Sequence, residues 1–212
     1  MSEAQILLSI KDLSIKADSL ELIKNYNLEL KAGEYKIISA PTGTGKTSLF
    51  NYIAGILPEQ EFTVTGQLTK AQNLKLSYAF QEPRLIPSLS ALKNVMLPLE
   101  NKMALEPAKE TAAAWLEKLN LPSKMNATVR TLSGGEQQRV NLARAFAASV
   151  VPEPAEGPAL LLLDEPFSSQ DEQNALNIKS IISSVLSQNT AVLIISHERI
   201  DIAARNDMFF KL

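Results

Sequence analysis

The chain has 212 residues, with 21 basic and 23 acidic side chains, a net charge of −2 and one histidine. So even a balance carries no electrostatic footprint for nucleic acid or an anionic membrane surface. Cysteine is absent, which excludes disulfides and thiolate metal sites, and a lone histidine excludes a multi-histidine site. The longest apolar runs, residues 159–163 and 191–195, are strand-length, whereas a spanning helix needs about 20 apolar residues. The N-terminus lacks a basic region followed by an apolar stretch, so no secretory signal is expected. These features predict a soluble cytoplasmic protein of one domain, with room for a subdomain.

In chain order, residues 6–10 and 26–30 look like strands of an early antiparallel layer. Residues 35–39 read as a buried strand. A glycine-rich loop follows, then a helix over residues 46–54 that turns Leu49, Phe50 and Ile53 to the core. Residues 74–80 form another strand. From 88 to 130 the pattern is helical, clearest over 106–120, where Ala112, Trp115, Leu116 and Leu119 share one face. A helical subdomain over 88–130 is expected, inserted in a core of 1–87 and 131–212. A helix is predicted from Gly134 to about Ser149. Residues 151–158 carry three prolines and a glycine, and read as a loop. A buried strand at 159–163, a helix at 171–187, a strand at 191–196, a short helix at 198–205 and a last strand at 207–212 complete the chain. Strands alternating with helices imply a mostly parallel, buried sheet, hence an α/β fold.

The first chemical signal is Ala40-Pro41-Thr42-Gly43-Thr44-Gly45-Lys46-Thr47. A bound triphosphate brings several negative charges close to the backbone. Gly43 and Gly45 let the main chain curl around it with N–H groups inward. The following helix adds its partial positive charge. Lys46 supplies a point charge for the β- and γ-phosphates, and Thr47 a hydroxyl for Mg²⁺. A strand before and a helix after fit this loop; the plain alternative is a Gly/Thr-rich turn with a solvated lysine. Ala40 stands where many such loops have glycine.

The second is Leu132-Ser133-Gly134-Gly135-Glu136-Gln137-Gln138-Arg139. Ser133 and Glu136 have capping-box spacing and can satisfy each other's backbone N–H groups. A capping box does not account for two adjacent glycines, each about 1 kcal/mol less favourable than alanine in a helix. Bare N–H groups at a positive helix end make room for an anion. Since one phosphate loop is already present, this second anion site must face a nucleotide held by another chain. The third signal is the strand 160–163 ending in Asp164-Glu165. Asp164 is placed to hold Mg²⁺, usually through water, and Glu165 to polarise the attacking water as general base. The plain alternative is a strand ending in two solvated acids.

Together the two phosphate elements resemble the ATP-binding cassette (ABC) ATPases, in which two chains sandwich ATP between them. The resemblance runs from the first strand to the last, in the order phosphate loop, Gln81, Ser133-Gly134-Gly135-Glu136, Asp164-Glu165, Asp171, His197. It implies a P-loop NTPase core with an N-terminal antiparallel layer and a helical insert. It implies that the Ser133 element contacts the γ-phosphate across a dimer interface, and that His197 contacts the γ-phosphate and orients the water. It makes Gln81 the glutamine that reaches Mg²⁺ or its water and senses a transport partner. Asp171 matches the loop that crosses the interface, and can also cap the helix it precedes.

One family feature is missing: an aromatic residue that stacks on adenine should fall near Ala17, yet none occurs before Tyr26. Loose nucleotide binding and weak discrimination between ATP and GTP are expected. The loop 151–158 is longer than usual, and the chain's ending after a strand predicts no appended regulatory domain.

The resemblance implies ATP and Mg²⁺ as cofactors, a second ABC subunit as partner, and a separate membrane permease, with the chain peripheral on the inner face of the membrane. No nucleic-acid partner is expected. Residues 79–87, Ala-Phe-Gln-Glu-Pro-Arg-Leu-Ile-Pro, look like those of importers for nitrate, sulfonate or taurine-type solutes. Two rivals stand beside the transporter subunit. One is a soluble ABC ATPase of DNA repair, ribosome function or cofactor assembly. The other is a non-catalytic nucleotide-binding regulator, which intact Glu165 and His197 oppose.

Overall fold

The computed structural model describes residues 4–41, 43–149, 157–187, 189–197 and 209–211. The chain divides into two units, the first made of 1–76, 156–162 and 186–212, the second of 77–155 and 163–185.

In the first unit, β2 (Leu20–Lys31) alternates buried and exposed residues over its second half, the pattern of a strand with one face on a core, while β1 (Ile6–Ala17) is buried in runs at Leu7–Leu8 and Leu13–Ile15. They pair antiparallel through a hairpin whose Asp18 adopts φ 51°, with Ala17 opposite Leu20. Both strands are longer than the sequence predicts. β3 (Tyr35–Ser39) is buried along most of its length, and α1 (Lys46–Ala54) turns Leu49, Phe50 and Ile53 inward as expected. β4 (Phe62–Lys70), not foreseen from sequence, pairs with the other edge of β1, giving the order β2-β1-β4.

Three further strands begin or lie in this unit: β5 (Lys75–Ala79), β6 (Ala159–Asp164) and β7 (Thr190–Ile195). With β3 and β8 (Phe209–Lys211) they make a five-stranded sheet in the order β5-β6-β7-β3-β8. β3 runs parallel to both β7 and β8. Every residue of β6 and β7 is buried, as a strand covered on both faces requires. Truncating one of their leucines to alanine should remove about 2–5 kcal/mol of stability.

The second unit holds α2 (Ala91–Met96), α3 (Leu105–Lys118), α4 (Gly134–Ser149) and α5 (Glu172–Val185). The first three pack on one another. Ala108, Ala112, Trp115 and Leu116 line the inner face of α3, and Trp115 stacks on Phe146 of α4 at 5.3 Å. Most of the predicted loop 151–158 and the predicted helix 198–205 lie outside the described residues.

Candidate active site

In the first unit the register of β3 and β7 pairs Ile38 with Ile195, and the Ser196 N–H donates to the Ile38 carbonyl at 3.2 Å. The two strands therefore end level. The phosphate loop leaves one and His197, which is exposed, leaves the other at the same sheet edge. Lys46 is 7 % exposed and folds over the loop, donating to the carbonyls of Ala40 at 2.5 Å and Pro41 at 2.8 Å. The Thr44 hydroxyl also donates to Pro41, at 2.8 Å. Thr47 is on the first turn of α1 and exposed, and Thr42 lies outside the described residues.

Gly43 and Gly45 have φ of 84° and 85°, the left-handed region where a side chain is strained. They do different work. Around Gly43 a methyl would meet nothing within 4 Å, whereas at Gly45 it would stand 2.8 Å from Leu22 Cβ on β2. Gly45 thus also lets β2 approach the loop. Helix α1 has no side-chain cap at Gly45 and no acidic residue in its first turn. Its positive end is left for an external anion, which is the donor set a triphosphate tail needs.

The second unit holds the carboxylates. Asp164, at the end of β6, is 1 % exposed and Glu165 is 8 % exposed. Glu165 has φ 50°, a conformation that strains a non-glycine residue by about 1–3 kcal/mol. The Tyr78 hydroxyl donates to Asp164 Oδ2 at 3.4 Å. Burial, and then the Asp164 charge, push the Tyr78 hydroxyl far above its ordinary pKa, so it remains a donor. Tyr78 stacks on Phe80 at 3.9 Å, and the Arg84 guanidinium lies 4.1 Å above the Phe80 ring. Gln81, next in the chain, is exposed.

The capping box read from sequence is present. The Ser133 N–H donates to Glu136 Oε2 at 2.8 Å, and the Glu136 N–H donates to Ser133 Oγ at 3.3 Å. The Ser133 N–H, more than the Lys124 ammonium 3.3 Å away, holds the Glu136 carboxyl below its ordinary range. The two glycines differ in their surroundings. Gly134 faces open space, as an anion site asks, but a methyl on Gly135 would stand 2.6 Å from the Ser169 carbonyl oxygen. The loop between β6 and α5 packs on Gly135, so the absence of a side chain there also makes room for that loop.

Gln170 fastens that contact. Its amide donates to the Gly135 carbonyl at 3.2 Å, and its oxygen accepts from Arg139 Nη1 at 2.8 Å. Asp171 caps α5, accepting from the Asn174 N–H at 2.8 Å, and this bond lowers its carboxyl pKa. Sequence reasoning assigned no part to Arg139, Gln170 or Tyr78. Arg139 closes the eight-residue run and was open to reading; the other two owe their place to tertiary contacts.

Among the described residues no three His, Cys, Asp or Glu side chains cluster as a metal site. Mg²⁺ does not require one, since it is held by one or two protein oxygens plus phosphate and water. The Thr47 hydroxyl and the Asp164 carboxylate are hard oxygen donors of that kind. Near Ala17, where the family places an adenine-stacking residue, the hairpin carries Leu20, 62 % exposed, and no aromatic side chain. Among the described residues no helix is long and apolar enough to cross a membrane.

The profile of the family described as ABC transporter matches residues 23–168. The chain is 34 % identical over 192 residues to the lipoprotein-releasing system ATP-binding protein LolD of Aquifex aeolicus, covering 84 % of this chain and 82 % of that protein. It is 35 % identical over 187 residues to the aliphatic sulfonates import ATP-binding protein SsuB 3 of Rhodococcus jostii, covering 87 % of this chain and 62 % of the other. Among solved structures it superposes with TM-score 0.76 and 28 % identity on a dimeric, post-hydrolysis state of the ATP-binding cassette MJ0796 bound to ADP and Pi, covering 93 % of this chain and 90 % of that one.

Proposed function

The chain belongs to the ABC transporter family, and from that premise we propose that it is the ATP-hydrolysing subunit driving solute movement through a separate membrane permease. The chain itself is an ABC-type ATPase with the cassette fold. One observation supports the working arrangement above others. Two helix N-termini stand beside glycines with open space, α1 behind Gly43 of the phosphate loop and α4 at its own first residue, Gly134; α1 has no side-chain cap, and the two capping-box bonds on α4 use the Ser133 and Glu136 N–H groups rather than those of the two glycines. One triphosphate does not need both from one chain. We therefore infer that two copies share each nucleotide, the loop of one and the Ser133 element of its partner.

In this reading Ala40, Pro41, Thr42, Gly43, Thr44 and Gly45 cradle the phosphates and Lys46 neutralises them. Ser133, Gly134, Gly135 and Glu136 close the partner's site, with Asp171 at the same interface. Thr47, Asp164 and Gln81 would hold Mg²⁺, which would supply positive charge to the phosphates. Glu165 accepts a proton from the attacking water, and His197 orients it. The resulting product charge weakens the shared contact, and the copies part. Binding a permease would place the chain on the membrane's inner face. The relatives' names divide between lipoprotein release and aliphatic sulfonate import, so the proposal extends to the energising role and names no cargo.

A Mg²⁺-dependent ATPase assay tests this. Glu165→Gln should keep ATP binding and lose turnover by about 10²-fold or more. Unchanged turnover would remove Glu165 as the base. Recovery of the full chain from detergent-solubilised membranes together with an integral membrane protein is the expected outcome for the permease half; recovery only as a free protein would contradict it.

A further inference from the structure

Gln81 is exposed, yet the backbone around it is held at three points by polar side chains from two helices. Asn141 of α4 is completely buried, and its amide donates to the Phe80 carbonyl at 2.8 Å. Arg144, one turn further along α4, donates to the Arg84 carbonyl at 2.6 Å and to Asn141 Oδ1 at 3.1 Å. From α2, Asn94 is likewise completely buried; it accepts from the Ile86 N–H at 2.8 Å and donates to the Ile86 carbonyl at 3.1 Å. Gln138, one turn earlier on α4, accepts from the Asn141 amide at 3.3 Å. A ladder of Gln138, Asn141 and Arg144 therefore runs along one side of α4 and grips the loop on both sides of Gln81.

A buried amide that lost these bonds would be left unsatisfied, so such groups keep partners with fixed geometry. Nothing in the core needs a polar group at 141: Val140, Leu142 and Ala143 around it are fully buried and apolar. The bonds at 141 go to a loop backbone and to the other rungs of the ladder. The same helix begins with Gly134-Gly135 and is capped by Ser133, so one helix joins that end to the backbone beside Gln81.

We propose that Asn141, braced by Arg144, is a positioning residue for Gln81: it fixes the Phe80–Gln81 peptide so that the Gln81 side chain is presented in one geometry during hydrolysis. The proposal rests on the reading of Gln81 as a residue of the hydrolytic site. Asn141 touches no nucleotide and acts only through that peptide.

A double-mutant cycle on the full chain tests it. Asn141→Leu keeps the volume and removes the amide. It should lower kcat about tenfold and raise the Mg²⁺ concentration giving half-maximal rate, while KM for ATP stays within about twofold. In the Gln81→Ala background the same substitution should change nothing further. Hydrogen exchange should rise at residues 80–86 and stay unaltered in α3. Multiplicative effects of the two substitutions would overturn the proposal while leaving Gln81 in the site. A Gln81→Ala chain with unaltered kcat and Mg²⁺ dependence would overturn the reading of Gln81 and the proposal with it. Should Asn141→Leu not fold, Arg144→Lys carries the same cycle with the same outcomes, because it keeps the charge and loses the two-point bridge.

Discussion

The two glycines of the Ser133 element differ in their surroundings, and substitution separates them. Gly134→Ala places its methyl in open space and should stabilise the free chain by about 0.5–1 kcal/mol through helix propensity. The Gly135→Ala methyl meets the Ser169 carbonyl at 2.6 Å and should instead lower the unfolding midpoint in urea. Equal midpoints for the two variants would show that the loop does not pack there. Glu136 gives a pH signature. Its carboxyl is held below its ordinary pKa of 4.5 by the Ser133 N–H. Its stabilisation is therefore complete above the unfolded-chain value and is lost as pH falls through the lowered folded one. Glu136→Gln should be about 0.5 kcal/mol less stable than the parent near pH 7, the two converging as both become neutral in acid. A gap that persists in acid would mean the charge is not the source. The capping box was legible from the Ser-x-x-Glu spacing alone. The close approach at Gly135 was not, because Ser169 lies 34 positions along the chain and no local pattern reports it.

Among the elements, the legible ones carry a strong period or an unbroken apolar run. The helix bounds Lys46–Ala54 and Gly134–Ser149 agree with expectation, since each follows a loop with helix-start residues and shows a buried stripe. β6 and β7 were visible as short apolar runs. β4 was hidden: its residues are exposed or half-buried, with Thr63, Thr65, Gln67 and Thr69 interleaved, and it is held by pairing with β1 rather than by a buried face. Gly66 marks it only in retrospect, its φ of 98° and contact with Asp12 belonging to an irregularity in the β1 pairing. The β1–β2 hairpin makes its own prediction. It offers aliphatic Leu20 and no ring, and base stacking on aromatic side chains is worth about 1–3 kcal/mol. Equilibrium binding of ATP and GTP to the Glu165→Gln chain should give Kd values within about tenfold of each other. Affinities separated by several orders of magnitude would show that some other group reads the base.

At the scale of the whole molecule, the proposed function depends on a division of labour that a single copy cannot complete. The phosphate loop and His197 leave one sheet edge, while the Ser133 element caps a separate helix that is held to the β6–α5 loop by Gln170 and Arg139. The motifs of both elements were legible in the sequence; how α4 is tied to Gln170 or to the backbone beside Gln81 was not, because those bonds join segments distant in the chain. The central claim is that ATP joins two copies through these surfaces. Sedimentation of the Glu165→Gln chain measures it most directly. With Mg²⁺ and ATP the 23.2 kDa chain should sediment as a dimer, and adding Ser133→Arg should return it to a monomer that still binds ATP. A Glu165→Gln chain that binds ATP and remains monomeric, or a double variant that dimerises as readily as the single one, would contradict the account.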